Sequence, residues 1–164
     1  MMAITAIAPL TAFSAGPLLQ VFYDGSCALC SSEMAALHEL DHDGALSLID
    51  CSQDDFDDTA LSAEGGTRAA MLRSLHVRDI LGDWHRGVDA IALLYATVGA
   101  PRLARLWVHP ITRPLAQWFY PLVVRHRHTL SGLGLHFVSP RLLRMFAGRR
   151  PGCDHAACRP ARSA

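Results

Sequence analysis

Leu18-Leu19-Gln20-Val21-Phe22-Tyr23-Asp24-Gly25-Ser26-Cys27-Ala28-Leu29-Cys30 carries the fold signal of this chain. The apolar run through Tyr23 ends at Asp24-Gly25, a turn pair, and reads as a short buried strand. Beyond the turn, Cys30, Met34, Leu37 and Leu40 recur at three- and four-residue spacing, with Glu33, His38 and Glu39 left for solvent. That period predicts a helix from Ser26, with Ser26 as its N-cap and Asp41–Gly44 closing it.

The two cysteines therefore fall where a strand hands over to a helix. Side chains three apart on a helix lie about 5–6 Å from each other at Cβ, close enough to be joined as a disulfide after a small adjustment. The unpaired N–H groups and dipole of a helix N-terminus favour a thiolate there, and the thiolate is the attacking species in disulfide exchange. Cys27 is thus the candidate nucleophile and Cys30 the candidate resolving thiol. Asp24, three residues earlier, opposes a thiolate if it is ionised and close. Two roles are open to it: holding the turn through its side chain, or accepting the Cys30 proton during resolution.

Downstream, Ala45 to Asp50 reads as a second strand and Ser52 to Asp58 as an acidic loop or helix start. Thr67 to Arg73 is weakly helical. Leu75–Arg78 and Trp84–Arg86 flank Gly82-Asp83 as a hairpin, and Asp89 caps a helix through Val98, stopped by Gly99 and Pro101. The order β-α-β-α-β-β-α is that of an α/β thioredoxin-like fold, a mixed sheet flanked by helices. Pro101, Pro110, Pro114 and Pro121 then punctuate a C-terminal helical extension. Within it, Thr112 to His128 predicts a helix kinked at Pro121, with Leu115, Trp118, Phe119 and Leu122 on one apolar face. The expected organisation is a flexible lead over 1–17, a redox domain over 18–100, the extension over 101–147 and a loose basic tail over 148–164.

Composition bounds the function. A chain of 164 residues, 51% hydrophobic and 18% charged, fills one core and is not disordered as a whole. Net charge is zero, yet residues 1–100 carry 14 acids against 4 Arg, and residues 101–164 carry 1 acid against 11 Arg. The basic half either packs on the acidic body or meets an anionic membrane or acidic partner; no nucleic-acid motif accompanies it. No run reaches the length of a spanning helix, and Met1 to Leu19 lacks the basic start of a secretory signal. Five cysteines, an odd number on a chain of this size, point to a reducing, cytoplasmic setting.

Alternatives to redox chemistry exist at each feature. Cys27, Cys30, Cys153 and Cys158 offer four thiols for a zinc module, although the pairs are far apart in sequence. Cys51 reads as a small buried hydrophobe or as a neighbour of the Cys27 turn. His76 and His85 meet across the hairpin or serve in core and solvated roles. Trp107, Trp118, Phe119 and Tyr120, beside Arg105, Arg113, Arg125 and Arg127, either pack on the sheet or lie on a membrane surface, which would make the basic half a membrane-surface adaptor.

Tyr23-Asp24-Gly25-Ser26-Cys27-Ala28-Leu29-Cys30 resembles the signature of the DCC family of thiol–disulfide oxidoreductases, named for its Asp-x-x-Cys-x-x-Cys motif. Leu75–Asp79, Gly82 and Arg86–Ala90 are similar to the family's middle hairpin and following helix. Tyr120 to Arg127 is similar to its last helix, whose usual Arg-Asn-Arg-Tyr ending here reads Arg125-His126-Arg127-His128. The resemblance spans about residues 18–130. It implies a thioredoxin-like fold and oxidoreductase activity with Asp24, Cys27 and Cys30 as site residues. It also implies a protein or small-molecule disulfide substrate and an external electron donor, with no cofactor beyond the dithiol. Thioredoxins place a cis-proline before the third strand; no proline occurs here between Leu18 and Ala100.

Overall fold

A computed structural model describes residues 16–147. Strand β1 (Leu19–Tyr23) leads to helix α1 (Ala28–Leu40), β2 (Leu46–Asp50), the short helices α2 (Thr59–Ser62) and α3 (Arg68–Met71), the hairpin β3 (His76–Asp79) and β4 (Trp84–Arg86), and α4 (Gly87–Thr97). The strands lie in the order β2-β1-β3-β4. β1 pairs parallel with β2 and antiparallel with β3, so Val21 faces Leu48 on one side and Val77 on the other. This is the thioredoxin-like mixed sheet expected from the sequence.

β1 is central: Leu19 and Val21 are buried on one face and Phe22 on the other, while Gln20 at the start of that second face stays exposed. Leu19 and Val21 join Met34, Leu37, Val77 and Leu94 in the main core beneath α1 and α4. Phe22 points the other way, into a second cluster with Cys51 and Met71. Burying a side chain such as Phe22 contributes about 2–3 kcal/mol.

Several boundaries differ from the sequence expectation. Asp89 lies in the first turn of α4 rather than capping it; the cap position belongs to Arg86, and Asp89 pairs with Arg113 instead. Pro101 does more than stop α4, since its fixed φ suits the first helical position and it opens α5 (Pro101–Val108). α6 runs from Thr112 to Gly132 with Pro121 inside it, four residues beyond the expected end. α7 (Val138–Phe146) follows a 3-10 turn. The hairpin forms as expected, yet its register sets His76 opposite Arg86 and Val77 opposite His85, so the two histidines do not pair. His76 is buried against Trp84, and burial lowers its pKa; His85 bonds Asp79 at 3.0 Å.

The extension latches onto α1. Ser32 Oγ donates to the His136 carbonyl at 2.9 Å, and Arg144 pairs with Glu39 at 2.8 Å. The lead and tail expected over 1–17 and 148–164 lie outside the described residues, apart from Gly16 and Pro17; Cys153 and Cys158 lie outside them entirely. Among the described residues no group of three or more His, Cys, Asp or Glu is gathered for a metal ion, and no helix is long and apolar enough to cross a membrane.

Candidate active site

The site is built at the carboxyl end of β1, where parallel pairing with β2 sets Tyr23 beside Asp50. The Asp50 carboxylate reaches over the turn and accepts the Gly25 N–H at 2.8 Å. That contact requires glycine at position 25, because a Cβ there would lie 2.0 Å from Asp50 Oδ2. Burial works to raise the Asp50 pKa, but hydrogen bonds from Gln53, Ser52 and Gly25 outweigh it and hold the carboxyl at about 2.

Asp24 is 4% exposed and engaged on both oxygens. Its Oδ1 accepts from the Ser26 N–H at 3.1 Å and from Ser26 Oγ at 2.5 Å, while Oδ2 pairs with Arg127. Its side chain thus bonds the turn through one oxygen and α6 through the other. Ser26 is not the N-cap, since its hydroxyl is taken by Asp24; Cys27 occupies that position and supplies no side-chain cap. The missing cap comes from α6. Ser131 Oγ accepts the Leu29 N–H at 3.0 Å, donates to the Arg127 carbonyl at 2.8 Å, and stands 3.9 Å from Cys27 Sγ. With its proton committed to Arg127, the hydroxyl offers a lone pair to Cys27, so the thiol is the donor.

Cys27 is completely buried, whereas Cys30 keeps part of its surface; both are free thiols at the start of α1, Cys27 at its cap position and Cys30 three residues on. Burial first, and then the adjoining Cys27, push the Cys30 thiol up to about 12; Arg127 pulls it down and Asp24 adds to the rise. Cys51 follows β2 and donates to the Tyr23 carbonyl through its N–H at 2.9 Å. Its thiol is buried against Met71, and burial followed by the Asp50 charge raises it to about 12. It is a core residue beside the motif.

Arg127 is the residue whose role the sequence did not disclose. Its guanidinium bridges Asp24 and the Leu72 carbonyl, which it reaches at 2.6 Å, tying α6 to both the motif and the segment before β3. Tyr120 does the same one face-length earlier: its hydroxyl accepts the Leu75 N–H at 3.2 Å, its ring packs on Gly87, and burial raises its pKa. Gly87 has φ +56, a conformation that suits glycine, and its missing Cβ leaves room for that ring. Tyr120, Val124, Arg127 and Ser131 recur at i, i+4, i+7 and i+11, which is one face of α6. That spacing was the available signal, hidden because the more hydrophobic stripe drew the reading to the other side. Beside this face a groove of about 520 Å³ is lined by Leu72, Arg73, Ser74, Tyr120 and Arg127 among others, with no carboxylate.

A mixed four-stranded sheet with a C-x-x-C at the mouth of α1 defines a thioredoxin-like dithiol protein. The family model described as DCC1-like thiol-disulfide oxidoreductase matches residues 21–133, and the chain belongs to that family. It is also 27% identical over 120 residues to an uncharacterized chloroplastic protein of Arabidopsis thaliana, covering 70% of this chain and 53% of that protein. The chain thus spans about half the length of this relative. No solved structure matches it.

Proposed function

We propose that the protein is a thiol–disulfide oxidoreductase working through Cys27 and Cys30. The observation that supports this most is the proximity of the two free thiols at the N-terminus of α1, in a chain of this family. Cys27 attacks one sulfur of a substrate disulfide, forming a mixed disulfide and expelling the other half as a thiolate. Cys30 then gives up its proton and attacks Cys27 Sγ, releasing the second half and leaving a Cys27–Cys30 disulfide. Two electrons pass to the substrate, and an external dithiol donor returns them. A thiol held near 12 resolves only when its proton is removed as it attacks; Arg127, which favours the charged form, assists that step.

Cys27 has no exposed surface, so attack requires the Ser131 end of α6 to give way. The carboxylate-free, arginine-lined groove beside Arg127 is the approach that suits a substrate carrying negative charge. Free thiols in the working cycle fit a reducing compartment such as the cytoplasm.

The test is trapping. Cys30→Ser, presented with a disulfide substrate, accumulates a mixed disulfide identified by mass spectrometry on Cys27. Substrate found on Cys30 in Cys27→Ser, with none on Cys27 in Cys30→Ser, would reverse the roles. Exchange surviving in both single variants would end the proposal.

A further inference from the structure

Among the described residues, the stripe on the outer side of α6 is left largely exposed. Leu115, Trp118, Phe119 and Leu122, with Ile111 one turn before, follow helical spacing and form a continuous apolar band over three turns. Their exposures are 64%, 72%, 51% and 45%, and 79% for Ile111. Of the aromatic residues expected to pack on the sheet, Trp107 lies against Tyr95 and Tyr120 against Gly87, whereas Trp118 and Phe119 stay outward, and the reason lies across the helix. By the 3.6-residue period the band is opposite Tyr120, Arg127 and Ser131, whose hydrogen bonds turn that face inward. An amphipathic helix is thus docked by its polar side, with its apolar side outward.

We infer that this band is a docking surface for an anionic lipid bilayer, on which the helix lies without crossing it. Charge selects the occupant. Residues 101–147 contain seven Arg and neither Asp nor Glu; Arg113, Arg127 and Arg144 pair with acids of the body, and Arg102, Arg105, Arg125 and Arg141 are exposed with no ion pair among the described residues. Arg125 and His126, three and four residues beyond Leu122, are exposed and follow the end of the band along the helix. A tryptophan and a phenylalanine among leucines, edged by cations, match the headgroup boundary of a membrane surface. The acids of residues 1–100 meanwhile orient the molecule with this half toward negative charge. The inference stands apart from the thiol chemistry, since none of these side chains touches Cys27 or Cys30.

Flotation of the full chain with vesicles tests it. Phosphatidylcholine–phosphatidylglycerol vesicles carry at least about tenfold more protein than phosphatidylcholine alone, and high salt reduces the difference. Trp118 emission shifts to the blue on binding. The double variant Leu115→Glu, Trp118→Glu lowers flotation at least about tenfold while its circular dichroism stays that of the parent. Leu115→Gln, Trp118→Gln provides a milder pair with the same direction. Absence of flotation by the parent chain overturns the inference without any variant. So does equal flotation of the variants, which would assign binding to the basic terminus. A dimer dissolved by the same substitutions, in a chain that ignores vesicles, would assign the band to a second copy.

Discussion

The body up to Ala100 and the extension after it treat their apolar side chains in opposite ways. Among the described residues, of sixteen large hydrophobic residues left exposed three belong to the body and thirteen to residues 106–146. Among the described residues, Ala104 and Leu143 are the fully buried members of the main core from beyond Ala100, with Leu103, Trp107 and Ala147 packed partly against it. The body is held by burial around β1; in the extension α5 and α7 add a few apolar contacts to that core, while α6 is held by polar contacts with the motif. The difference teaches that hydrogen-bond demand, not hydrophobicity, chose which face of α6 turned inward. A buried Asp24, a capless α1 and the Leu75 N–H each needed a partner, and leaving such groups unpaired costs about 1–3 kcal/mol apiece.

If the inner side of α6 shields the site, the largest effect is on reactivity. Peptide-resolved alkylation at neutral pH should find Cys30 slower than a free cysteine by about a thousandfold, the rate rising about tenfold per pH unit. A free-cysteine rate would mean that the extension does not cover the pair. The same raised thiols carry a stability sign. Neutral Cys30 and Cys51 contribute stability below the ordinary thiol range that is lost as pH climbs toward about 12.

Next comes Arg127→Met, which strands a buried carboxylate and should cost about 3 kcal/mol in urea unfolding. Asp24→Asn in that background should recover part of it, since an amide needs no counter-charge. Gly25→Ala forces Asp50 off its N–H donor and should cost about 2 kcal/mol, with the loss shrinking below about pH 4 as Asp50 protonates. Ser131→Ala removes the borrowed cap of α1 at about 1 kcal/mol, read by thermal unfolding. Trp118→Ser, on the outer face, should change stability by less than about 0.5 kcal/mol. A Trp118 cost equal to that of Arg127 would erase the contrast between the faces.

Much was legible in the chain. The apolar run before Asp24-Gly25, the period after Cys27 and the Gly82 turn identify β1, α1 and the hairpin, because each is written in neighbouring residues. The candidate dithiol is legible for the same reason. Ser26 misled, since a serine before a helix is a common cap; here Asp24 took its hydroxyl first. Asp89 misled similarly, its carboxylate being drawn to Arg113, 24 residues away.

Sequence alone determined where the two sulfurs lie along the chain, since spacing and helix period act between near neighbours. Tertiary structure alone decided that Cys27 is closed over, that Ser131 completes the helix above it, and that Arg127 answers Asp24 across 103 residues. Those partners are brought together by folding, and no local period encodes which donor will meet which acceptor.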